Sequence, residues 1–177
     1  MPKKKITKTL LIGLGGTGNL ALKYAKKRFY EMYAGGKSFS DFELPLIEYL
    51  ALDTSIDDLN QGVGLNNQFN LKQSEYHHLK VSNPRQVLRG SPYITNQWMP
   101  RKNLKTLSAI EAGAGQIRAF GRLGLMNNYQ KVKEIVQKKV DNLNSWQHAQ
   151  DPDYEAMGGA VNIVFCFSIA GGTGSGK

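Results

Sequence analysis

The chain has 177 residues, 41% hydrophobic and 21% charged, which suits one soluble domain with a core and excludes a disordered or fibrous chain. A formal net charge of +9 suits a polyanionic partner: nucleic acid, an acidic membrane surface or the phosphates of a nucleotide. No run approaches the roughly 18 apolar residues of a membrane span, the basic start Met1 to Ile6 lacks a secretory apolar block, and a lone Cys166 excludes an internal disulfide framework, so a cytoplasmic protein is expected.

In chain order, Ile6 to Ile12 reads as a strand buried on both faces, cut by the turn Gly13-Leu-Gly-Gly-Thr-Gly18. Asn19 to Ala34 reads as a helix, with Leu20, Ala21, Tyr24, Ala25 and Met32 at three- and four-residue steps and Gly35-Gly36 ending the pattern. Leu46 to Leu52 is a second strand, Asp53-Thr-Ser55 a polar turn, and Ile56 to Leu59 a short helix. Between Gln61 and Lys105 three prolines break any sustained period; short irregular elements are expected there, with a helical turn over Pro84 to Leu88 and room for a third strand.

After a second glycine turn, Ala112-Gly-Ala-Gly-Gln116, the stretches Ile117 to Met126 and Tyr129 to Trp146 read as helices. Asp151-Pro-Asp153 is a loop, and Val161 to Ile169 a buried strand in which Cys166 is a small interior hydrophobe. Strands alternating with helices predict an α/β fold: one domain with a Rossmann-like parallel sheet, helices on both faces, and ligands at the carboxyl ends of the strands.

Glycine between a strand and a helix lets the backbone approach a phosphate, and a helix N-terminus offers free N–H groups and partial positive charge. The turn Gly13 to Gly18 fits the G-x-G-x-x-G fingerprint of dinucleotide-binding folds, with Asp53 to hold a ribose, although Asp53 lies farther along than that motif expects. The run Gly171 to Lys177 fits G-x-x-x-x-G-K, as in an ATP-type P-loop, and ends where that motif needs Ser or Thr. Each reading leaves the other glycine loop without a role.

A third reading uses every loop. Gly15-Gly-Thr-Gly-Asn19, Leu52-Asp-Thr54, Gly113-Ala-Gly-Gln116 and Ala170-Gly-Gly-Thr-Gly-Ser-Gly176 resemble, in order and spacing, the first four nucleotide loops of the tubulin and FtsZ superfamily. The last loop is close to that superfamily's signature, with Ala170 in place of its first glycine, and Gly113 to Arg122 is most similar to divergent bacterial tubulin-like proteins. The resemblance implies the N-terminal half of a GTPase domain, binding GTP or GDP with Mg²⁺. It implies self-association into cytoplasmic filaments, hydrolysis being completed by an acidic loop of the next subunit that these 177 residues do not contain.

By the same resemblance, Gly15, Gly16, Thr17, Gly18 and Asn19 surround the diphosphate end of the nucleotide, and Asp53 and Thr54 approach the γ-phosphate and its magnesium, Asp53 acting through water. Gly113, Ala114, Gly115 and Gln116 sense the terminal phosphate, while Gly171, Gly172, Thr173, Gly174, Ser175 and Gly176 cradle the α- and β-phosphates. Ser55 departs from the acid that many FtsZ proteins carry there. With the helix after Gly176 and the base-reading loops missing, the chain reads as a fragment of a longer protein.

Plainer roles stay open. Asp53-Thr54 could serve only as an N-cap, Gly113 and Gly115 as turn residues, and Arg118 and Arg122 either meet phosphate or form a solvated face. His77, His78 and His148 have no partners at metal-ligand spacing. A non-hydrolysing nucleotide-binding structural module or adaptor is the alternative function. Nucleic acid is a partner that the charge permits and no motif supports.

Overall fold

The structure, a computed structural model, describes residues 3–40, 42–105, 107, 110, 112–146 and 153–176. Four strands form one sheet in the order β3-β2-β1-β4: β1 (Lys4–Leu14), β2 (Ile47–Asp53), β3 (Tyr76–His78) and β4 (Tyr154–Phe167). All pairings are parallel, with Leu14 beside both Leu52 and Phe167, and Asp53 beside His78. The carboxyl ends of the strands therefore lie along one edge, where the polar turns emerge.

Both faces of this sheet are covered. On one, Leu10, Ile12, Leu50 and Leu52 meet Val132 and Leu143 of α7 (Tyr129–Ser145). On the other, Tyr49 and Ala51 meet Leu22 of α1 (Gly15–Tyr33) and Leu59 of α2 (Ile56–Asn60). The broken stretch after Gln61 supplies β3 and three short helices, α3 (Pro84–Gly90), α4 (Pro92–Gln97) and α5 (Arg101–Lys105). Pro84 and Pro92 each stand at a helix start, where no N–H is needed. Leu88, Ile94, Met99, Ile110 and Val81 then pack beneath Phe120 and Leu123 of α6 (Arg118–Asn127), a core that carries the third glycine loop.

Two expectations are corrected. The helix α1 starts at Gly15, inside the glycine turn, and buries Gly15, Gly18, Asn19, Leu22, Lys23 and Lys26, whereas Leu20, Tyr24 and Met32 are exposed. Close approach decides its rotation: a Cβ on Gly18 would overlap the Cys166 carbonyl oxygen of β4, so the glycine side must face the sheet. Burial follows that contact rather than hydrophobicity.

The second correction concerns β4. It is longer than the expected strand, running from Tyr154, and it opposes six residues from Met157 to Asn162 with only three from Thr7 to Thr9, a bulge that takes up Gly158 at φ +74°. It is the sheet's edge and mostly exposed: Ile163, Val164, Phe165 and Phe167 face out, and Cys166 is only half-buried. No described element covers its far side. The proposed loop at Asp151 and the site of His148 lie outside the described residues.

Candidate functional site

The first amides of α1 follow Leu14, an extended residue whose side chain caps nothing, so the opening turn of this long helix leaves N–H groups free. Gly15, at φ +73°, is pressed against the last loop, where an added Cβ would stand 3.0 Å from the Gly174 amide nitrogen. In that loop the single turn α8 (Gly172–Ser175) begins directly after Gly171, so a helical start is present within the glycine run itself.

The third loop is held in place from two sides. Val81 and Ile110 exchange backbone bonds of 3.0 and 2.9 Å, and the Gly113 amide donates to the Thr54 carbonyl at 3.0 Å. Gly113, Gly115 and Gln116 all take positive φ (110°, 55° and 61°), so the chain turns sharply here, and Gln116 adopts a left-handed conformation that costs about 1 kcal/mol or more for a residue with a Cβ.

These loops enclose one cavity of about 280 Å³. Of the residues singled out from sequence, Gly15, Gly16, Thr17, Asp53, Gly113 to Gln116 and Gly171 to Gly174 line it. Gly18, Asn19, Thr54, Ser175 and Gly176 do not. Gly18 packs on β4, and a Cβ on Gly176 would overlap the Arg118 carbonyl oxygen. Leu14, Ser55, Asp58, Ala112 and Ser168 join the lining without having been singled out as binding residues. Asp58 was hidden because it belongs to a short helix read only as a connection. Its position one turn beyond the polar turn was the available signal.

Asn19 and Thr54 lie beneath the cavity floor, both fully buried. The Asn19 amide donates to Asp53 Oδ2 at 3.0 Å, the Thr54 and Ser55 amides donate to Asp53 Oδ1 at 2.7 and 3.3 Å, and the Thr54 and Thr173 hydroxyls share a bond of 2.7 Å. One buried chain of bonds thus fastens the first, second and fourth loops together. Burial pushes the Asp53 carboxyl above the usual carboxylate range, partly offset by the bonds from the Ser55 amide and the Thr173 hydroxyl. The α2 cap is Ser55, whose Oγ accepts from the Asp58 amide at 3.4 Å, so Asp53 and Thr54 do not serve that role.

The link between the two threonines is testable. Thr54→Val and Thr173→Val, singly and together, are expected to show a coupling of about 1 kcal/mol in chemical denaturation, since the two hydroxyls share one buried bond that either change removes. Strict additivity would refute the link.

Lys23, 2% exposed, was not anticipated. Its ammonium donates to the carbonyls of Asp58 at 2.8 Å, Leu59 at 3.2 Å and Gln61, closing the C-terminal end of α2, and burial lowers its pKa. The arginines of α6 point elsewhere than the cavity. Arg118 donates to the Ile169 carbonyl at 3.1 Å, and Arg122 stacks 4.6 Å from the centre of the Trp98 ring. In α7, Lys139 pairs with Glu48 at 2.9 Å, which removes it from the exposed basic surface. His78 Nε2 lies 3.0 Å from the Thr54 carbonyl oxygen, and burial lowers the pKa of His77.

The donor set suits a polyphosphate with a hydrated cation. Glycine amides surround the space, Gly15 and Gly172 leave it clear of side chains, and carboxylates stand on one wall. No three His, Cys, Asp or Glu side chains converge among the described residues, so a cation here keeps mostly phosphate and water ligands, as magnesium does.

The comparisons agree with this architecture. Among solved structures, CetZ from Methanosaeta thermophila is similar in fold, with a TM-score of 0.52 and 19% identity over 97% of this chain and 30% of that one. This chain therefore spans about 30% of the length of that structure. No curated protein matches the sequence. The sequence model of a family described as tubulin like matches residues 10–177, which takes in all four loops, and the chain belongs to that tubulin-like family.

Proposed function

We propose that this chain forms the phosphate-binding part of a GTP-binding, tubulin-like protein that assembles into cytoplasmic filaments, with magnesium beside the Asp53 wall of the cavity. The carrying observation is the convergence of four loops, distant in sequence, on one cavity at the carboxyl edge of the sheet. About 280 Å³ suits a polyphosphate better than a whole nucleotide, since pockets for drug-sized ligands run from roughly 300 to 1,000 Å³. Reading of the base is assigned to residues beyond these.

Gly15 to Thr17 and Gly171 to Gly174 are the proposed amide cradle, Gly113 to Gln116 the sensor of the terminal phosphate, and Asn19 and Thr54 the fasteners that hold the cradle's shape. Gly18 and Gly176 act by packing, and the Ser175 hydroxyl by donating to the Gly171 carbonyl. Hydrolysis is assigned to a neighbouring subunit's acidic loop, because among the described residues the titratable side chains lining the cavity are Asp53 and Asp58, and the oxygens of Asp53 are taken up by loop bonds. No helix among the described residues is long and apolar enough to cross a membrane.

Calorimetric titration of the full-length protein with GTP, GDP and NAD tests the assignment. Tight binding of guanine nucleotides is expected, and tight NAD binding without GTP binding would overturn it in favour of a dinucleotide enzyme. The 177-residue chain alone is expected neither to release phosphate from GTP nor to form a GTP-dependent polymer. Robust phosphate release or GTP-dependent pelleting would refute this division of labour.

A further inference from the structure

We propose that Asp58, rather than Asp53, is the carboxylate through which this chain holds the water shell of the nucleotide's magnesium; the proposal rests on the nucleotide reading above. It starts from the charges around the cavity. Among the described residues two aspartates line it, and no Lys or Arg does. The Lys23 ammonium donates to backbone carbonyls and lies within electrostatic reach of both Asp58 and Asp53, offsetting part of their charge, while Arg118 is committed to the Ile169 carbonyl and Arg122 to the Trp98 ring. A polyphosphate entering this space meets two carboxylates and, against them, the partial charges of the glycine amides and of the α1 N-terminus, roughly half a unit. A divalent cation between phosphate and carboxylate reverses the sign of that encounter.

The two carboxylates are not equivalent. Asp53 is 2% exposed, and its oxygens already accept from the Asn19 side chain and the Thr54 and Ser55 amides. Turning it toward a cation would dismantle the fastening of the loops. Asp58 is exposed, and among the described residues its carboxylate accepts no hydrogen bond and forms no ion pair. Its backbone is fixed in the first turn of α2 by the Ser55 Oγ bond. It faces the first loop, where Gly16 leaves the approach clear: a Cβ there would stand 3.2 Å from Asp58 Oδ2. Ser55, one helical turn earlier, lines the same wall, so an acid at either position addresses the same space.

The experiment measures GTP affinity of the full-length protein by calorimetry, once with MgCl₂ and once with EDTA. Loss of a carboxylate that orients a metal's water shell weakens metal-dependent binding by about tenfold or more. Asp58→Asn is therefore expected to bind GTP about tenfold more weakly than wild type in magnesium, and as tightly or more tightly in EDTA, where the substitution removes repulsion. Asp58→Glu is expected to keep magnesium-dependent binding, and Ser55→Asp added to Asp58→Asn to restore it.

Asp53→Asn is expected to weaken binding in both conditions and to lower the melting temperature without nucleotide by more than Asp58→Asn does, because Asp53 fastens the loops whereas Asp58 acts on the fold through the Lys23 charge alone. An equal loss for Asp58→Asn with and without magnesium would make its role structural and overturn the proposal, as would no loss in either. Those results leave the nucleotide reading intact, because wild type still binds. Failure of wild type to bind GTP under both conditions would instead sink that reading, and this proposal with it.

Discussion

Replacing Gly18 or Gly121 by alanine is expected to destabilise the fold by about 2 kcal/mol in each case, against the direction that helix propensity alone gives. Both glycines lie inside helices, where alanine gains up to about 1 kcal/mol over glycine. The opposing term is larger. A Cβ on Gly18 would overlap the Cys166 carbonyl oxygen, and one on Gly121 would overlap the Gly172 carbonyl oxygen and stand 2.7 Å from Thr173 Cα.

These obstacles are backbone, which cannot rotate aside as a side chain does, so the cost falls at the upper end of overpacking, about 3 kcal/mol. Gly90 is the internal control. It is the last residue of α3, nothing lies within 4 Å of its Cβ position, and Gly90→Ala is expected to be neutral or stabilising by about 0.5 kcal/mol. Urea denaturation at constant slope separates the outcomes. If Gly18→Ala proved as stable as Gly90→Ala, the close packing of α1 on β4 would be wrong. Gly121→Ala carries a further consequence, because the atoms it would displace belong to the phosphate loop, so nucleotide affinity is expected to fall along with stability.

The second large effect concerns the uncovered edge. The Phe165 and Phe167 side chains of β4 are 57% and 52% exposed, and together with Ile163 they wall an apolar hollow against α7. A long apolar edge strand with unpaired backbone groups is a template for association. The 177-residue chain is therefore expected to self-associate with rising concentration, independently of GTP, and to bind a hydrophobic dye.

Full burial of a phenylalanine contributes about 1.5–3 kcal/mol, and half-exposed rings have about half of that left to gain. Phe165→Ser with Phe167→Ser is then expected to weaken association by about 2 kcal/mol, roughly thirtyfold. Sedimentation velocity reads this directly. A wild-type chain that stays monomeric at high concentration and binds no dye would contradict the exposure of this face.

Much of the fold was legible because its signals are local. Continuous apolar runs marked β1 and β2, helical spacing marked α7, and glycine turns marked where strands hand over to helices. The four loops were legible for the same reason, since a close backbone approach to phosphate demands glycine whatever the rest of the chain does. The stretch after Gln61 was not, because β3 spans only Tyr76–His78, too short for any period, and is defined by pairing with β2.

The sequence by itself determined the alternation of strand and helix and the chemistry of the turns, both set by neighbours within a few residues. Only the tertiary structure decided which side of each element is buried. Leu20 and Tyr24 lie outside while Lys23 lies within, because Gly18 and, on β1, Gly13 let α1 approach the sheet and the Lys23 ammonium finds carbonyls at the end of α2. Likewise the apolar composition of β4 fitted an interior strand, and its place in the sheet order made it an edge. The roles within the site were decided the same way. The Asn19, Asp53, Thr54 and Thr173 side chains come from three loops, and they meet beneath the cavity because the parallel sheet brings the ends of β1, β2 and β4 to one edge.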